Sequence, residues 1–405
     1  MGNLNVKLHH LLDQFSTDEK RILLVGASLY IHYALAAVVV LWIIIAMLRE
    51  KRLLTIIKQV PRSRFALVFC IITTIVAALY ENWIGVACGI GLLLVFLYIF
   101  YYRTVITKPC FELLLDICIV CSMFFVVWGC IEYYLICQRL DHSVFELFIA
   151  NSPKNRVHVG SFNANYYAML IEFTVLLCFY KALQWKSVKH TLWYGFAVIA
   201  NLFMLVLTGC RTAWVPFVVS VPLLILFCGM YKLFALSLVS IGGVGGFVLM
   251  NPELMKRAAY ITKDFAKRER IWTTAIQGIK AHPLFGEGPM TYLQIYPLYN
   301  GHPTNHSHSI YLDPILSHGI IPVLIVAVYF FSNLKEAVKL FTQKTDVPLF
   351  GLMVGFLVTV LLHGMLDYTV YWIQTGILFL MVMSASSMYF QDGYNKEKRS
   401  FERKI

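Results

Sequence analysis

The chain has 405 residues, 59% of them hydrophobic and only 14% charged, with a formal net charge of +12. A soluble core of this size cannot bury so much apolar surface, which excludes a soluble domain and indicates a polytopic membrane protein. The positive balance does not point to nucleic acid, because the basic residues fall in loops between apolar runs.

The segment Asn3–Arg21 is polar and amphipathic, and the apolar run after it is too long and lacks a small-residue cleavage site, so no cleavable signal peptide is expected. Eleven apolar runs follow, at 22–48, 65–80, 83–102, 111–137, 166–183, 191–208, 213–228, 233–250, 310–331, 348–366 and 372–390. A crossing takes about 20 residues. Backbone groups in hydrocarbon need internal partners, so these runs are expected as helices. Residues 1–405 therefore read as one all-α transmembrane domain of about 11–12 helices. The shorter runs suit tilted or partly buried helices, and 22–48 is read as a single long span.

Arg49, Lys51, Arg52, Lys58, Arg62 and Arg64 crowd the first loop, which the positive-inside rule puts on the cytoplasmic side. Alternating from there, Arg103/Lys108, Lys181/Lys186/Lys189, Lys232, Lys335/Lys339/Lys344 and the tail with Lys396, Lys398, Arg399, Arg403 and Lys404 fall on the same side. With 22–48 as one span, the N-terminus falls outside. Gly242–Gly246 lies inside a run and suggests close helix packing or a kink. The ten cysteines are scattered, Cys118 and Cys121 included, and read as small buried hydrophobes.

Two segments outside the runs are long. Gln138–Asn165 holds Arg139, Asp141, His142, Lys154, Arg156 and His158, then Gly160–Asn165. Asn251–Ser307 is a large extracytoplasmic loop. Within it, Lys267–Lys280 reads as a helix with Ile271, Trp272, Ala275, Ile276 and Ile279 on one face, lying on the bilayer or lidding a cavity. His282-Pro283 should end that helix and Gly286-Glu287-Gly288-Pro289 turn the chain.

Four features can carry chemistry. Arg211 sits between two spans on the face that the positive-inside rule leaves unfavoured for a cation, so it is either an interfacial anchor or a ligand for an anion. Arg268 and Arg270 flank an apolar helix face and suit phosphate oxygens or lipid headgroups. His302, His306 and His308 could cap a helix, supply a general base or bind metal, although no third metal ligand is evident beside them. Asp116, Glu132, Glu172 and Asp313 are carboxyls inside apolar runs, and Glu172 or Asp313 could hold an arginine or orient His308. His363 and Asp367, four apart, could pair with each other.

Together these motifs resemble a known family. Thr208-Gly209-Cys210-Arg211-Thr212-Ala213 resembles the T-G-S-R-[GT]-[AG] motif of the O-antigen ligase and polymerase family. Arg268-Glu269-Arg270-Ile271-Trp272 with His282-Pro283-Leu284-Phe285-Gly286-Glu287-Gly288-Pro289 resembles its R-x-x-I-W…h-P-l-f-G-x-G-p stretch. His308-Ser309-Ile310-Tyr311-Leu312 with His318-Gly319-Ile320-Ile321 resembles its H-N-x-[YF]-L-q…GiiG segment, and Gly160–Asn165 its asparagine-alanine motif. Cys210, Ser309 and Pro322 depart from the usual serine, asparagine and glycine.

The resemblance implies a GT-C-like membrane glycosyltransferase, metal-independent and without cofactor, with twelve spans in the family's usual description. It implies a glycan donor on undecaprenyl diphosphate and a glycan or lipid-glycan acceptor, used at the outer face of the bacterial plasma membrane. Arg211, Arg268 and Arg270 would take the diphosphate and His308 or His306 would be the base. Asn165, Glu172 and Asp313 would lend support. A flippase of lipid-linked saccharides is the alternative, but it calls for midplane charges and related halves, and the sequence displays neither.

Overall fold

The computed structural model describes residues 13–146, 155–184, 187–251 and 261–390. The start of the Asn3–Arg21 segment, Lys154, Lys186, part of the large loop and the basic tail from Lys396 lie outside them.

Among the described residues the structure is helical, with no strand. The helices are α1 (Thr17–Leu29), α2 (Tyr33–Arg49), α3 (Leu53–Gln59), α4 (Ser63–Leu79), α5 (Trp83–Val105) and α6 (Lys108–Arg139). Then come α7 (Ala164–Gln184), α8 (Val188–Thr208), α9 (Trp214–Phe227), α10 (Tyr231–Met250) and α11 (Ile261–Ala281). The last are α12 (Thr291–Ile295), α13 (Asp313–His318), α14 (Ile320–Thr342), α15 (Val347–His363) and α16 (Ile373–Met383). By length and composition α5, α6, α7, α8, α14 and the stretch Ile373–Phe390 can each cross a membrane, and α2 with α3 forms a further, bent pair. The apolar parts of α4, α9, α10 and α15 are shorter, as the sequence led one to expect.

The first apolar run is not one span. A capping box starts α1, with Glu19 N donating to Ser16 Oγ at 3.2 Å and Ser16 N donating to Glu19 Oε2 at 2.9 Å. The helix stops at Tyr30, and His32 restarts the chain by accepting Ala34 N on Nδ1 at 3.2 Å. The two halves fold back as a hairpin. Arg21 reaches Glu50 at 2.8 Å and Asp18 reaches Arg52 at 2.7 Å, so the start of α1 meets the end of α2. The expected topology is thereby corrected: the start of α1 lies on the basic face of the bundle, beside the first basic loop.

The run 310–331 is broken as well. Pro314 opens the short α13, Gly319 ends it at φ +72°, and the long helix starts only at Ile320. Asp313 is therefore outside the long helix, in the short one before it. The Gly242–Gly246 stretch does not pack closely, since a Cβ at Gly242, Gly243, Gly245 or Gly246 would meet nothing within 4 Å.

On the basic face, charges pin helix ends together. Lys181 meets Glu112 at 2.8 Å and Asp116 at 3.1 Å, Lys108 meets Asp346 at 2.8 Å, and Tyr194 donates to Asp116. Asp116 is thus a structural partner. At the opposite end, Glu132 on α6 accepts the backbone N–H of Val159 at 2.8 Å and ties down the loop before α7. The central helix is α7, buried on nearly all sides, with Phe173 stacked on Phe356 of α15 at 4.3 Å between ring centres. Its start, the ends of α8 and α15, and the loops after α11 all meet on the face away from the basic loops.

Candidate active site

The segment after α11 is built to hold the break before α14. Carbonyls of Pro283 and Leu284 accept the N–H groups of Ile320 (2.9 Å) and Ile321 (3.1 Å), which the first turn of a helix leaves without internal partners. Gly288 N donates to Ser317 O at 2.8 Å. Gly286 has φ +60°, and a Cβ there would lie 2.5 Å from the Ser317 carbonyl oxygen; one at Gly319 would lie 2.3 Å from Phe285 N. Both contacts require glycine. Ile271 and Ala275 of α11 pack with Tyr292, Ile295 and Leu316 into a small separate core, while Ile276, expected on that face, is 42% exposed.

This scaffold presents the histidine loop. Asp313 accepts Ser307 N at 2.6 Å and Ser317 Oγ at 3.3 Å, so it fixes the loop without bonding His308. His308 adopts a left-handed φ of +52°, uncommon outside glycine and a mark of a position over-determined by its surroundings. Its Nδ1 lies 2.8 Å from Asp367 Oδ1 and its Nε2 lies 3.0 Å from Thr304 Oγ1. Asp367 follows the end of α15 and is buried, and it also accepts Asn165 Nδ2 at 2.5 Å and Tyr368 N at 2.8 Å. Burial alone would raise its carboxyl. The neighbouring His308, with His306 and Arg268, outweighs burial and holds it well below the usual carboxylate range. The ionised carboxylate therefore accepts from His308 Nδ1–H and leaves Nε2 as the basic nitrogen.

His306 is differently placed. It accepts His308 N on Nδ1 at 3.2 Å, and its Nε2 lies 3.2 Å from Tyr166 OH. Burial, with His308 and Arg268 nearby, pushes it down to about 3. Its one lone pair is thus held by a fixed backbone N–H, unlike His308 Nε2, which faces only the rotatable Thr304 hydroxyl, and this disfavours His306 as the base.

Asp367 supplies a third metal ligand that is not evident beside the histidines in sequence, since ligand atoms of His306, His308 and Asp367 lie within 4.8 Å of one another. The fit is poor as arranged. His308 Nδ1 and Asp367 are engaged with each other, His306 Nδ1 accepts a backbone N–H, and the Arg268 charge acts on both His306 and Asp367. A second cation there would be repelled.

The arginines enter from other elements. Arg211 lies in the turn between α8 and α9, where Gly209 ends α8 in the left-handed region. Arg156, not singled out from the sequence, holds that turn. Its Nε donates to Thr208 O at 2.5 Å and its Nη2 to Asn165 Oδ1 at 2.7 Å. Burial depresses the Arg156 guanidinium; Cys210 and Asp367 act against the depression and Arg211 adds to it, so all four are close in space. Asn165 therefore bridges Arg156 and Asp367.

Under the turn, Glu172 accepts from His363 Nδ1 at 2.7 Å, and His363 Nε2 lies 3.4 Å from Thr212 Oγ1. This corrects two expectations: His363 pairs with Glu172 rather than Asp367, and Glu172 bonds neither an arginine nor His308. Arg268 and Arg270 also part company. Arg270 donates to Asn300 O and Asn300 Oδ1, both at 2.6 Å, and ties α11 to the next loop. Arg268 acts on Asp367, and its buried Nη1 has no hydrogen-bond partner. An unpartnered buried guanidinium N–H beside the dyad is where an anionic ligand would gain most.

No curated protein matches the chain. The family model described as O-antigen ligase matches residues 196–328, the stretch that holds Arg211, Arg268, His306 and His308.

Proposed function

We propose that the protein is an inverting, metal-independent glycosyltransferase that moves a glycan from undecaprenyl diphosphate to an acceptor sugar hydroxyl. The observation that carries this reading is the convergence of Arg156, Arg211 and Arg268 with the His308–Asp367 pair at one end of the bundle. By the positive-inside rule the opposite, basic face is cytoplasmic, so the site faces outward across the bacterial plasma membrane.

Each group has a task. A lipid diphosphate leaves readily once its negative charge is met. Arg211 and Arg268 meet it, with electrostatic stabilisation already in place. Arg156 keeps the Arg211 turn in position. His308 Nε2 takes the proton of the acceptor hydroxyl as that oxygen attacks the anomeric carbon. The bond from that carbon to the phosphate oxygen breaks, the electron pair leaves on undecaprenyl diphosphate, and the configuration inverts. Asp367 stabilises the imidazolium so formed. His306 stays neutral and orients the loop. Arg270 shapes the loop at Asn300 rather than touching the diphosphate.

The test incubates purified protein with a lipid-diphosphate oligosaccharide, with and without an acceptor. Transfer should be lost in Arg211→Ala and in His308→Ala while membrane expression is kept. A ladder of products identifies a polymerase and a single coupled product a ligase. Lipid movement across vesicles without any product would replace the transferase with a flippase.

A further inference from the structure

Beside the dyad lies a run of aromatic rings that the transfer chemistry does not use. Trp372 has Tyr33, Phe162 and Tyr166 around it, each with ring centres 5.0 Å away, and Tyr166 stacks on it within 5° of parallel. The run continues through Tyr166 to His306 at 6.5 Å and on to His308 at 4.4 Å. Phe162 is 52% exposed, and Tyr33 and Trp372 are partly exposed.

Membrane-belt aromatics are scattered over lipid-facing helix surfaces. Tyr33, Phe162 and Trp372 instead come from three elements, the start of α2, the loop before α7 and the turn before α16. Two of those elements also carry site residues, Arg156 in the loop and Asp367 in the turn. A polar group sits at the edge, where exposed His32 packs on Tyr33 at 4.2 Å, while Trp372 Nε1 turns inward and donates to the buried Gln374 Oε1 at 3.3 Å. A lipid tail has no use for such a rim. A pyranose has an apolar C–H face, which suits a ring π face, and hydroxyls at its edge, which suit the polar rim.

We propose that Phe162, Trp372 and Tyr33 form a carbohydrate platform on which a pyranose ring of the glycan stacks, away from the reacting bond. The platform rests on the transferase reading for the identity of the glycan, and it sets how far along the chain the sugar is read.

The experiment uses the full chain in lipid nanodiscs with two probes. One is the free oligosaccharide released by mild acid from the cell's own lipid-linked glycan; the other is undecaprenyl diphosphate without sugar. The oligosaccharide should quench tryptophan fluorescence, and Trp372→Phe, which changes one of eight tryptophans, should remove that quench. Phe162→Leu, at an exposed position where a fold defect is not expected, should raise KM about tenfold with kcat little changed, as loss of uniform binding does. Whether the KM for the lipid-linked donor or for the acceptor rises tells which glycan occupies the platform.

Equal quenching by undecaprenyl diphosphate alone would overturn the platform in favour of a lipid contact. So would wild-type KM for both substrates in both variants, with transfer still dependent on His308. Sugar-specific quenching in a protein that transfers nothing would leave the platform standing and remove the transferase reading.

Discussion

Substituting Asp367 by Asn tests the dyad most directly. The carboxylate receives His308 Nδ1 and Tyr368 N on Oδ1, both at 2.8 Å, and Asn165 Nδ2 on Oδ2 at 2.5 Å. An amide has one accepting and one donating end. With its oxygen toward His308, its NH2 opposes the NH2 of Asn165 and a buried donor goes unpaired, at a cost of about 1–3 kcal/mol. With its NH2 toward His308, Nδ1 must accept, and the ring proton moves to Nε2, the nitrogen that has to take the acceptor's proton. Transfer should fall about 10²–10⁴-fold, which is ~2.7–5.4 kcal/mol in the barrier. The assay is single-turnover transfer from the lipid-linked donor, beside thermal melting. Adding Asn165→Asp reverses the amide and carboxylate. That double variant should regain melting temperature but not activity, because its charge sits one residue further from His308. A folded Asp367→Asn protein keeping more than about a third of wild-type transfer would refute the assignment.

The two arginines of α11 should separate. Arg268→Ala should lose transfer by about 100-fold or more, the scale of one fixed charge-assisted donor. Arg270→Ala should stay within about tenfold of wild type and instead loosen the Asn300 loop, seen as faster hydrogen exchange over 296–302. EDTA should leave transfer unchanged, and strong inhibition restored by added metal would assign His306, His308 and Asp367 to a metal instead. A histidine held neutral to about 3 in the fold, as His306 is, leaves the unfolded chain binding an extra proton below ~6.5. Its stabilising share is therefore complete above about pH 6.5 and is lost as the pH falls toward 3, and melting curves of His306→Gln should show a flatter acid dependence. The α1–α2 hairpin predicts that tags placed at residue 13 and after residue 390 report from the same side of the membrane; opposite sides would restore a single first span.

What the sequence made legible, and what it hid, follows from the range of the interactions. The helices were legible because each apolar run is a local signal, and most runs match helices within a few residues. The exceptions are breaks with local chemistry of their own. His32 interrupts the first run as an N-cap, Ser16 and Glu19 supply a capping box before it, and Gly319 interrupts 310–331. Hydropathy averages over all of these. Arg211, Arg268 and His308 stood out because cations and imidazoles near a membrane face are costly unless used. Their partners did not stand out, because partnership is set by topology. Asp367 lies 59 residues beyond His308, and Glu172 lies 191 residues before His363.

The mispairing of His363 with Asp367 has a simple cause. Four-residue spacing is no guarantee of a side-chain pair at a helix end: Asp367 keeps a backbone bond to His363 O at 3.1 Å, but its carboxylate reaches His308 while His363 turns to Glu172. Arg268 and Arg270 make the converse case. They are neighbours in sequence on a continuous helix, and two-residue spacing sends their side chains to nearly opposite sides. One reaches the dyad and the other the Asn300 loop. A pair of arginines on one helix is therefore a weaker indication of a shared anion than three arginines from a loop, a helix-to-helix turn and a surface helix. The loop, the turn and the helix meet only if the bundle brings them to one end. Arg156, Arg211 and Arg268 are such a set, and it is their common neighbourhood with Asp367, rather than any one motif, that gives the diphosphate reading its force.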